Sequence, residues 1–136
     1  MSADDLPPQV LAPVRAACMA LPEAYEEPAW VGTRWRVRTK TFAHVLRIEA
    51  GWPPAYAKVA GSDGPLTVVT FRAPLPEVER RRATGRPFFL PGWWPDIVGV
   101  EVDDRTDWGE IAELVTESYR VLAPKKLVAL LDAAPP

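Results

Sequence analysis

The sequence holds one cysteine and one histidine in 136 residues. That excludes an internal disulfide, and one Cys with one His cannot make a typical structural zinc site. A lone thiol fits a reducing compartment, so a cytoplasmic location is expected. No run is long and apolar enough to span a membrane, and Asp4 and Asp5 precede any apolar run, which does not suit a secretory signal. There is no excess of positive charge. Sixteen Lys and Arg against 18 Asp and Glu give a net charge of −2, which argues against a generic polyanion binder. No phosphate-cradling glycine loop, dinucleotide fingerprint or nucleophile–base pair is present. Asp103, Asp104 and Asp107 lack the glycine and distal glutamate of a calcium loop. No catalytic residue, metal ligand or cofactor is therefore expected.

Proline is plentiful, at 16 residues, and predicts stiff, irregular connections. An apolar fraction of 48% with 25% charged residues is ordinary for a globular chain. One domain over residues 1–136, with its core at about 10–131, is the simplest reading. Met1 to Pro8 reads as a frayed lead, followed by a helix carrying Val10, Val14, Cys18 and Leu21 on one face. Cys18 on that face reads as a small buried hydrophobe. Glu23 to Gly32 reads as a connection. Thr33 to Glu49 reads as a β-hairpin turning at Thr39-Lys40, with Phe42, His44, Leu46 and Ile48 on one face of its second strand. His44 there is expected to be core or half-buried. Gly51 to Gly64 reads as a loop, Leu66 to Arg72 as a strand, and Pro76 to Thr84 as a helix capped by Gly85.

The closing stretch is the clearest. Val98, Val100 and Val102 alternate as a strand. Asp107 stands three residues before Glu110, the spacing of a capping box. Ile111, Leu114, Val115, Ser118, Tyr119 and Leu122 then make one helical stripe, Pro124 stops it, and Lys125 to Leu131 is a second short helix. The order predicts an α+β fold in two layers: a mostly antiparallel sheet with the N- and C-terminal helices packed on one face.

Two local features carry functional meaning. Residues 33–48 hold Arg34, Arg36, Arg38, Lys40 and Arg47 without a carboxylate, and strand alternation would place Arg34, Arg36 and Arg38 along one outward face, a ladder suited to phosphate oxygens. The same ladder could be a solvated face that discourages edge pairing. Arg80-Arg81-Arg82 fan about 100° apart on a helix and form no single stripe. Phe88, Phe89, Trp93 and Trp94 lie in an irregular, proline-rich segment, too apolar for a bare linker; it reads as a cover over a sheet edge or as the lining of a ligand or partner surface.

Several motifs in order resemble the MmcQ/YjbR family. They are Leu21-Pro22-Glu23, Trp35-Arg36-Val37-Arg38, Lys40-Thr41-Phe42-Ala43, Thr70-Phe71-Arg72, Val98-Gly99-Val100, Asp107-Trp108, Glu113-Leu114-Val115, Ser118-Tyr119-Arg120 and Ala123-Pro124-Lys125-Lys126, spanning about residues 10–130. The resemblance implies a CyaY-like fold and a DNA-binding label through paired β elements. One branch of the family is named from a mitomycin-associated gene cluster. Many members carry an Asn-Lys-x-His-Trp segment before the last strand. Here Pro91-Gly92-Trp93-Trp94-Pro95-Asp96 stands in its place, so no role of those polar groups is carried over.

Three functions follow as expectations. The first is DNA binding through Arg34, Arg36, Arg38, Lys40 and Arg47. The second is a non-catalytic domain binding a small anionic or aromatic ligand, or a protein, through Phe88 to Trp94, with Arg36 or Arg38 as an anion anchor. An enzyme ranks last. The sequence does not set the oligomeric state.

Overall fold

The computed structural model describes residues 6–133. Asp4 and Asp5 lie outside these, as does most of the expected lead; Leu6 is already buried in the core. The described residues form α1 (Pro8–Met19), β1 (Tyr25–Pro28), β2 (Thr33–Val37), β3 (Lys40–Ile48), α2 (Pro54–Ala60), β4 (Leu66–Arg72), α3 (Leu75–Thr84), β5 (Phe88–Phe89), β6 (Ile97–Val102), α4 (Trp108–Leu122) and α5 (Lys125–Ala133). The strands make one sheet in the order β1-β2-β3-β4-β6-β5, and every neighbouring pair is antiparallel. With α1 and α4 packed together on one face, this is the expected α+β fold.

The main core lies between that face and the helices. Alternation delivers Trp35 and Val37 from β2, Val45 from β3, and Val69 and Phe71 from β4, while the α4 stripe supplies Ile111, Leu114, Val115 and Tyr119. Asp107 caps α4 by accepting from the Glu110 amide at 3.1 Å. Fully buried Ser118 sits within this apolar stripe for a polar reason. Its hydroxyl donates to the Phe42 carbonyl at 2.6 Å and accepts from the Arg72 amide at 2.7 Å, linking β3 to β4 just past their last ladder pair, Ala43 with Phe71.

Three local readings are corrected. The residues from Glu23 to Gly32 are not a bare connection, because Tyr25–Pro28 pairs with β2 as the edge strand. The loop from Gly51 to Gly64 contains α2, begun by Pro54 at the first helical position, where its missing N–H costs nothing. Phe42 does not share a face with His44. Trp35 pairs with Ala43 and Arg36 with Thr41, so Phe42 is the extra residue of a bulge and turns into the main core against Tyr119, their rings edge to face with centroids 5.5 Å apart.

On the opposite face α2 covers only part of the sheet. A smaller core of Val31, Leu46, Ile48, Ala57 and Val68 fills the space beneath it, with Phe89 packed alongside. The Phe89 ring lies over Gly99, where an added Cβ would stand 2.2 Å from the ring. Arg34, Thr41 and Arg72 lie beyond the cover of α2.

Candidate functional site

The uncovered part of this face is the floor of a cleft of about 300 Å³. Arg34, His44 and Thr70 stand in one cross-strand row on β2, β3 and β4. The walls come from three other segments: Trp30 from the turn after β1, Tyr56 from α2, and Trp93 with Trp94 from the stretch before β6. Trp93 meets Tyr56 edge to face, with centroids 5.1 Å apart. The Arg72 guanidinium lies 4.9 Å from the Trp94 ring centre and donates to Asp96 at 2.7 Å. Trp30 tilts against Trp52 at 5.4 Å. Trp30, Trp93 and Trp94 are 76%, 41% and 53% exposed, an unusual outlay of large rings toward water.

His44 sits half-buried at the floor. One ring nitrogen, Nε2, is 2.6 Å from the Val31 carbonyl, which can only accept, so Nε2 carries the proton. Nδ1 is then an acceptor, met by the Tyr56 hydroxyl at a long 3.4 Å. Burial, opposed by the Val31 bond and aided by the nearby Arg34 charge, lowers the His44 pKa, so the ring is neutral at pH 7. The unfolded chain takes up this proton near pH 6.5 and the folded chain only below that. Stability is therefore expected to fall as pH drops from about 7 towards 5. His44→Gln should flatten this part of the profile. Thermal melts across that range test this, and identical slopes for both proteins would refute it. Arg15 and Arg34 hold the carboxyls of Glu26 and Glu27, respectively, below the usual range, so the stabilisation these pairs give is present above that range and lost as pH falls below it.

The five hairpin cations do not share one face. Arg34 and Arg36 point to the cleft side and both pair with Glu27 of β1, which lies directly across from Arg34; Arg36 also donates to the Thr39 carbonyl. The hairpin turns at Arg38-Thr39, one residue earlier than expected. Arg38 therefore leaves the ladder, adopts φ +56° and pairs with Glu23 at 3.2 Å. Arg47 alternates with His44 onto the helix-covered face, where it pairs with Glu49 at 3.1 Å. Lys40 is exposed beside the turn. Neither Arg36 nor Arg38 lines the cleft; Arg34 and Arg72 are the guanidinium groups there.

The aromatic segment divides in two. Phe88 is buried in the main core beneath the Arg81 guanidinium, 4.0 Å from its ring centre, and Phe89 pairs with Gly99 as the edge strand β5. Trp93 and Trp94 alone reach the cleft. Sequence reasoning missed Tyr56 and Arg72, because five separate stretches of chain converge here and no spacing along the chain links them.

Cys18 is fully buried, and burial pushes its thiol pKa up, which makes it a poor nucleophile. Among the described residues no group of three or more His, Cys, Asp or Glu is placed to hold a metal. None of the described helices is long and apolar enough to cross a membrane.

A family model described as YjbR matches residues 19–121. No curated protein matches the chain. Among solved structures, a crystal structure of a protein from Pseudomonas syringae is similar at 15% identity, covering 74% of this chain and 78% of that one with a TM-score of 0.49.

Proposed function

The chain belongs to the YjbR family, and we propose that it is a non-catalytic binding domain that holds a small flat aromatic molecule in the tryptophan-walled cleft. The observation that carries this reading is the exposure of Trp30, Trp93 and Trp94 around one concave, partly polar floor. Exposed aromatic rings converging on a concavity with a few fixed polar groups are the usual form of a small-molecule site. The volume lies at the lower end of such sites, which suits one ring system rather than an extended ligand. His44 has hydrogen-bond partners that orient it but no carboxylate among them, so it lacks the partner that would raise its basicity for proton transfer.

Protein-observed NMR with flat one- to three-ring fragments tests the reading. The indole N–H signals of Trp30, Trp93 and Trp94 are expected to shift, while that of buried Trp35 stays in place. Trp93→Ala should weaken binding about tenfold or more, since stacking on one ring is worth roughly 1–3 kcal/mol. A panel that moves none of the three exposed indoles would defeat it.

A nucleic-acid role is the second reading, favoured by the same exposed rings, on which unpaired bases could stack. The hairpin offers it little free charge, because Glu23, Glu27 and Glu49 stand against Arg34, Arg36, Arg38 and Arg47. Three phosphate contacts on a single strand require log K to fall with log salt at a slope of about −2.1. A flat salt dependence removes this reading.

A further inference from the structure

Among the described residues that line the cleft there are two guanidinium groups and no carboxylate, in a chain whose net charge is −2. The acids that orient these arginines stand outside the lining. Glu27 holds Arg34 through Nε and Nη2, and Asp96 holds Arg72 through Nη1. A guanidinium has five N–H donors. Nη1 of Arg34, and Nε and Nη2 of Arg72, have no hydrogen-bond partner among the described residues. Each arginine is thus fixed by its own acid on one side and keeps donors on the other. The floor also offers acceptors, among them Nδ1 of His44, whose one partner among the described residues is the distant Tyr56 hydroxyl.

We propose that the occupant of the cleft is an aromatic carboxylic acid: one flat ring system whose carboxylate is met by Arg34 and Arg72, and whose ring N–H or hydroxyl is met by Nδ1 of His44. This rests on the cleft reading above and narrows it. The N–H donors that Glu27 and Asp96 leave unused favour an anion, while an ammonium in a lining that holds no carboxylate would face two guanidinium groups. The aromatic walls accept any flat ring, so it is the floor that selects charge.

A matched series separates the two levels: 2-naphthoate, 2-naphthamide and 2-naphthylmethylammonium, titrated calorimetrically into the whole protein at low salt. The wild type is expected to bind the carboxylate about tenfold or more tighter than the amide, and the ammonium weakest. Arg34→Gln or Arg72→Gln should bring carboxylate and amide within about threefold, and Arg34→Lys should restore part of the preference. Arg47→Gln, on the opposite face of the sheet and paired with Glu49, should leave it unchanged. Trp93→Ala should weaken all three alike. Equal wild-type affinities that Trp93→Ala still weakens would overturn the acid preference and leave the cleft standing. If no probe binds, or if binding ignores Trp93→Ala, both fall. The wild-type series needs no variant, so a poorly folding substitution does not block the test.

Discussion

Trp35→Ala is expected to cost about 3–5 kcal/mol of folding stability, the range for truncating a large core aromatic. Small domains have only about 5–15 kcal/mol in total, so a substantial unfolded population should accumulate at 37 °C. The reason is position. Among the described residues Trp35 is the largest fully buried side chain; it stands on β2 between the edge strand and the long strand β3, in the same core cluster as the buried residues of α1 and α4. Its indole N–H also donates to Glu26 at 3.0 Å, and Glu26 receives Arg15 of α1 through two bonds of 2.8 and 3.0 Å. Trp35→Phe keeps most of the volume and leaves Glu26 its arginine, so it should cost much less. Urea unfolding of both variants checks this. A Trp35→Ala midpoint near that of the wild type, with the same m-value, would contradict the placement of the core.

The second large effect is expected from a single oxygen. Ser118→Ala removes one hydroxyl and orphans two buried backbone groups, the Phe42 carbonyl and the Arg72 amide. Each unsatisfied group costs about 1–3 kcal/mol, so a loss of roughly 2–6 kcal/mol follows for a substitution that barely changes volume. Hydrogen exchange gives the sharper readout. The Arg72 amide should lose protection well beyond the global loss, because its only described acceptor is gone. Unchanged relative protection at Arg72 would refute the account. The consequence reaches the cleft, since Arg72 is one of its two guanidinium groups.

Much of the fold could be read from periodicity. The α4 stripe and the Asp107 cap were legible because a long amphipathic helix repeats its signal over four turns. The valine- and threonine-rich strand at Leu66–Arg72 was legible because β4 is buried on both faces and carries the β-branched residues that suit that setting. Short elements were not. Tyr25–Pro28 has four residues, two of them glutamates and one a proline, and only its pairing with β2 makes it a strand. A compositional hint did exist, since Glu27 stands seven and nine residues before Arg34 and Arg36, the arginines that its carboxylate meets across the strand pair. The bulge at Phe42 defeats strict alternation by one residue and reassigns the aromatic ring to the other face. The site was the least legible part. Tyr56 reaches the cleft from a seven-residue helix, Trp30 from a turn and Arg72 from the end of a central strand, and only the sheet order brings them together. Of the residues singled out beforehand, Arg34, Trp93 and Trp94 line the cleft, while Phe88 and Phe89 serve packing and Arg36, Arg38, Lys40 and Arg47 lie outside it.

The two margins of the sheet limit how this protein can meet another chain. At one margin, Pro28 lacks an N–H and Glu26 and Glu27 extend their charge to either side of a four-residue strand. At the other, only Phe88 and Phe89 lie alongside β6, and α3 packs against them. Neither margin offers the long unpaired row of donors and acceptors that a foreign strand needs to dock. Recognition by backbone augmentation is therefore disfavoured, and a partner or ligand must be read through side chains on a face of the sheet.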